Sequence, residues 1–216
     1  GGFIALIGSI IISFMLAFSV SCRVIWEKLN LGGAKQLGVK INQARVPVKT
    51  MHFTDNEINK VFGFIRNQIT EGRQIYIVYP LIKESETMDY KDLEGGWDTI
   101  SRIFQAPKYC ISIVHGKMTP AEKDKSMKLF KDGQAHILIA TTVIEVGVDI
   151  PNATVMIIES AERFGLSQLH QLRGRVGRGA DQSYCIMMSS DKLSREAAKR
   201  LEVMKKTSDG FEIAET

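Results

Sequence analysis

After Pro47 the chain repeats one pattern. Short runs rich in β-branched and aromatic residues, at 48–52, 74–79, 109–114, 136–140, 154–159 and 184–188, alternate with longer charged stretches whose apolar residues recur at helical spacing. Runs this short and apolar suit strands covered on both faces, and a helix between successive strands supplies that cover. The expected fold is therefore α/β, a parallel sheet with helices on both faces. Helices are expected from Asp55 toward Glu71, through Trp97, Ile100 and Phe104, and over 120–131, 166–172 and 192–206. Asp55 and Thr119 are the candidate caps and Gly72 a stop.

With 216 residues, 44% of them hydrophobic, the chain is long enough for one proper core with a short appendage at each end. Its net charge of +4 permits a polyanionic partner without demanding one. Three cysteines, Cys22, Cys110 and Cys185, lie far apart in odd number, which fits a reduced compartment. The four histidines show neither an HExxH pattern nor zinc spacing, so no metal site is expected.

The N-terminal part reads differently. Residues 3–21 carry no charge, and at about 1.5 Å of helix rise each they nearly span a bilayer core of about 30 Å. As a membrane helix followed by Arg23, Lys28, Lys35, Lys40 and Arg45, the run would keep the globular part in the cytoplasm. A signal peptide, a core helix whose partners lie elsewhere, and foreign sequence joined upstream are the alternatives. Gly1 in place of Met suggests a piece of a longer chain, or a processed or trimmed one. The expected organisation is an apolar helix and connector over 1–44, a globular lobe over 45–190, and a further motif beginning at 191–216.

The most informative stretch is QLHQLRGRVGRG, from Gln168 to Gly179. Arginines interleaved with glycines make poor core material. Glycines let a backbone approach a neighbouring surface, and guanidinium groups contact phosphate oxygens bidentately, so the run suits a phosphate site; a solvated basic turn is the plain alternative. The stretch ILIATTVIEVGVDIPN, 137–152, reads as a strand breaking into a loop with Thr141, Thr142, Glu145, Gly147 and Asp149. Hydroxyls and loop amides there would hold phosphate without reading a base, unless the loop is only a capped strand end.

These segments resemble the motifs of superfamily 2 helicases. QLRGRVGR at 171–178 is similar to motif VI, 137–152 to motif V, His115-Gly116 to the segment that faces nucleic acid, and YPLIKESE from Tyr79 to the motif IV region. PLIKESE, AERFGLSQLH at 161–170 and RLEVMKKTSDGFEIAE at 200–215 favour the RecG type over the related Mfd type; the last looks like the first half of a translocation motif. The resemblance implies a RecA-like second motor lobe. In it Arg175 and Arg178 act as arginine fingers, with Gln171 beside the same phosphate. Gly147 and Asp149 face the nucleotide, while Thr141, Thr142, His115 and Gly116 face the DNA backbone.

The sequence contains no GxxxxGK[ST] loop and no acidic DExH-type box. ATP with Mg2+ would therefore be held mainly by an N-terminal helicase lobe in cis, and this chain is expected to be inactive alone. The DNA partner implied is branched, such as stalled forks and recombination junctions. An Mfd-like transcription-repair coupling lobe is one alternative. Another is a membrane-tethered, non-catalytic nucleic-acid-binding module anchored by 3–21. A dinucleotide-binding fold is disfavoured because no GxGxxG follows the first strand.

Overall fold

The computed structural model describes residues 46–80, 86–141, 150–177 and 181–206, with the backbone alone at 86–92. The chain divides into two units, Gly1–Gln43 and Ala44–Thr216, and everything described belongs to the second. The apolar run at 3–21 with its connector to residue 44, Thr142, Glu145, Gly147, Asp149, Arg178 and the tail 207–216 lie outside the described residues. Within them no helix is long and apolar enough to cross a membrane.

The strands are β1 (Lys49–Thr54), β2 (Gln74–Tyr79), β3 (Ile111–Val114), β4 (Ile137–Thr141), β5 (Ala153–Ile158) and β6 (Tyr184–Ser189). They form one sheet in the order β1-β6-β5-β2-β4-β3, with every adjacent pair parallel. The helices are α1 (Ile58–Thr70), α2 (Glu86–Ile103), α3 (Pro120–Lys131), α4 (Leu166–Arg173) and α5 (Arg195–Lys206). This is the RecA-like α/β arrangement expected from the sequence.

Alternation of side chains along a strand divides the core into two layers. Ile75, Ile77 and Tyr79 of β2, with Ile137 and Ile139 of β4, pack under Val61, Phe62 and Ile65 of α1 and Leu93 and Ile100 of α2. Tyr76, Val78, Leu138, Met156 and Met187 face the other way, against Phe130 of α3, Leu169 of α4 and Leu201 and Met204 of α5. Every residue of β2, β4 and β5 is buried, which is why these strands read as unbroken apolar runs rather than alternating ones.

Several boundaries differ from the sequence expectation, and three have a clear local reason. Thr54, not Asp55, is the cap: its N–H donates to Glu57 Oε2 at 3.4 Å, and Asp55–Glu57 form a single turn before α1. The strand expected from Tyr109 begins at Ile111, because Tyr109 N–H is taken by Gln105 O and Cys110 N–H by His136 Nδ1 at 3.0 Å. The last helix starts at Arg195 rather than Lys192, with Ser194 Oγ accepting from Ala197 N–H.

Candidate functional site

Parallel pairing puts all strand carboxyl ends on one edge of the sheet and all amino ends on the other. At the carboxyl edge β3 ends at Val114 and leads through His115 and Gly116 to α3. That helix opens with a capping box: Thr119 Oγ1 accepts from Glu122 N–H, and Glu122 Oε2 accepts from Thr119 N–H at 2.8 Å. The box takes up the N–H groups of Thr119 and Glu122, Pro120 has none, and the Glu122 carboxylate already occupies the positive end of the helix. A phosphate at this loop would therefore be met by His115 and the Gly116 amide rather than by the helix start. Lys123 Nζ donates to Gly116 O at 3.2 Å and holds the loop. Burial, and then the charges of Lys117 and Lys123, push the His115 imidazole below its ordinary value, so at neutral pH it offers a hydrogen bond rather than a charge.

Thr141 ends β4 at the same edge. It is only 4% exposed, and its Oγ1 has no hydrogen-bond partner among the described residues. A buried hydroxyl left unmatched costs free energy, and a ligand oxygen would relieve that cost.

The arginine–glycine run leaves α4 toward the other edge. Its three arginines read alike in sequence, yet Arg173 turns inward. It is buried, with Nη1 donating to Met204 O at 3.0 Å and Nη2 lying 3.0 Å from His170 Nδ1. Gln171 and Arg175 are exposed, and Val176 is buried between them and Gly177. Gly177 has φ +82, and a Cβ there would stand 2.6 Å from Val48 Cγ2. Val48 immediately precedes β1, so that close approach fixes the turn carrying Arg175 at the amino edge. The structure thus separates the turn carrying Arg175, at the amino edge, from Thr141, His115 and Gly116 at the carboxyl edge, while Gln171 is exposed on α4.

The described parts of the 137–152 stretch lie at both ends. The stretch begins as β4 at the amino edge, and that strand ends at the carboxyl edge with Thr141. Its last residue, Asn152, lies at the amino edge, where its Nδ2 donates to Gly72 O at 2.9 Å. The residues that receive Asn152, Gly72 and Gln74, are not singled out by the sequence, because EGRQ after a helix reads as an ordinary stop. Among the described residues no group of three His, Cys, Asp or Glu side chains is placed to hold a metal ion.

Residues 56–180 match the family described as the helicase conserved C-terminal domain. Over 172 residues the chain is 49% identical to the ATP-dependent DNA helicase RecG of Synechocystis sp., covering 79% of this chain and 20% of that protein. The RecG of Treponema pallidum is 47% identical over 171 residues, covering 79% and 25%. A solved structure of RecG bound to a three-way DNA junction superposes with a TM-score of 0.67 at 41% identity, covering 82% of this chain and 22% of that one. The chain therefore spans about a quarter of the length of these relatives. The Mfd-like and membrane-tethered alternatives gain no support from these likenesses.

Proposed function

The chain belongs to the helicase conserved C-terminal domain family, in its RecG-type branch, and from that membership we propose that it serves as the second motor lobe of an ATP-dependent helicase that remodels branched DNA. The observation that carries the reading is the split among the arginines of the 171–178 run. One anchors the helix in the core, and the next is presented outward on a turn that only glycine allows.

In this reading Arg175, with Arg178, brings positive charge to a phosphoryl group held on the first lobe and stabilises charge that develops there during hydrolysis. Gln171 sits beside the same group, and Gly147 and Asp149 face the nucleotide. A guanidinium on an exposed turn fits ATP phosphates, whereas the ligands of Mg2+ are assigned to the first lobe. Thr141, Thr142, His115 and Gly116 face DNA phosphates through hydroxyl, imidazole and amide donors, contacts that position the strand and read no base.

DNA-stimulated ATPase activity, measured for this chain alone and mixed with a separately expressed RecG-type first lobe, tests the proposal. Activity is expected only in the mixture, and Arg175→Ala should lower its turnover by about 10³-fold. Turnover by this chain alone, or an undiminished rate in the variant, would remove the assignment.

A further inference from the structure

The amino edge carries a polar knot that the proposed function leaves without a role. Gly72, at φ +81, turns the chain out of α1, and Arg73 N–H donates to Gln68 O at 3.0 Å, so the Arg73 side chain leaves a fixed backbone. Its Nε lies 3.3 Å from Glu71 Oε2. Its Nη1 lies 3.5 Å from Thr154 Oγ1 and 3.8 Å from Asp181 Oδ2. Beside it Asn152 Nδ2 donates to Gly72 O and, at 3.3 Å, to Gln74 Oε1. Gln74 Nε2 in turn donates to Phe130 O at 2.6 Å and Ala135 O at 2.8 Å.

The turn 71–74 thus grips the end of the 137–152 stretch and also reaches Asp181, where the arginine–glycine run rejoins the sheet. That run is held on both sides of its passage. Gly177 lies against Val48, and Gln182 Nε2 donates to Pro47 O at 2.8 Å.

We infer that Arg73 is a positioning residue for the turn that presents Arg175. One guanidinium lies between two carboxylates, Glu71 on its own turn and Asp181 on the other segment, and touches Thr154 at the start of β5. It therefore sets where the run rejoins the sheet relative to the end of 137–152. Partly exposed ion pairs of this length contribute little to overall stability, so the effect of Arg73 is local. Without it Glu71 and Asp181 lose the cation they share. The inference rests on the nucleotide role proposed for Arg175.

In the complete two-lobed protein carrying this lobe, kcat and KM for ATP under saturating DNA are compared with the melting temperature for Arg73→Ala, Arg73→Lys, Asp181→Asn and the Arg73→Ala/Asp181→Asn double variant. Arg73→Ala should lower kcat by between about fivefold and a hundredfold, with KM and melting temperature nearly unchanged. A lysine, carrying charge but only one point of contact, should restore part of the rate. Asp181→Asn added to Arg73→Ala should also recover part of it, a non-additivity that marks the pair as coupled.

An unchanged kcat in Arg73→Ala, strictly additive effects in the double variant, or a kcat loss that only follows a fall in melting temperature would each overturn the inference. Arg175→Ala measured alongside separates two kinds of failure. Normal turnover in that variant removes the nucleotide role itself, while turnover lost there but kept in Arg73→Ala removes only the positioning role.

Discussion

The carboxyl of Glu159, where the chain leaves β5, is pushed up to about 7, first by burial and then by the negative charges of Asp55 and Glu162. Its ordinary value is 4.5, so between 4.5 and 7 the folded chain binds a proton that the unfolded chain has already released. Stability therefore falls as pH rises through that window, the reverse of the usual carboxylate trend. A shift of this size corresponds to about 3 kcal/mol. The lowered carboxyls of Glu57, Glu122 and Glu202 act in a lower range, since their contribution is lost only as pH falls below 4.5. Urea unfolding at pH 5 and pH 8 should show a marked drop for the native sequence and a much smaller one for Glu159→Gln. Equal pH dependence in the two would mean that Glu159 ionises as freely in the fold as out of it.

At the scale of elements, α4 and α5 are joined by a bond that no sequence pattern announces. Arg173 closes α4, and its guanidinium holds Met204 O in the last turn of α5. Replacing it with Met keeps bulk but leaves a buried carbonyl unpaired, a loss of about 2–3 kcal/mol. The end of α5 should then exchange its amide hydrogens faster; unaltered protection over 203–206 in Arg173→Met would show that the helix end does not depend on this bond. The strands themselves were legible because covering them on both faces demands continuous apolar runs, and the caps and stops at Thr119 and Gly72 follow from local chemistry. What escaped reading is long-range. His136 Nδ1 takes the N–H of Cys110 and delays β3, and Arg73 meets Asp181 across more than half the described chain. The inward turn of Arg173 was equally hidden, since in sequence it is one of three similar arginines. For the candidate site, the motifs supplied the residue types, and the topology supplied their separation to two ends of the sheet.

Over the whole molecule, the carboxyl edge carries charge of both signs on each half. Toward β4 and β3 lie His115, Lys117 and Lys123 with Glu122 and Asp124; toward β5, β6 and β1 lie Asp55, Glu57, Glu162 and Asp191 with Lys60, Arg163, Lys192 and Arg195. On the DNA role proposed above, the exposed Lys117 beside the His115 and Gly116 donors makes the β4–β3 half the expected path of the backbone. Binding there should be salt-dependent, with each phosphate contact contributing about 0.9 to the slope of log affinity against log salt for duplex and about 0.7 for a single strand. In the complete protein Lys117→Ala should flatten that slope by about one contact and weaken binding alike for all base sequences. Lys60→Ala, beyond β1 and paired with Glu57 at 2.8 Å, should leave it unchanged. A slope that responds to Lys60 and not to Lys117 would put the DNA toward β1 and overturn this path.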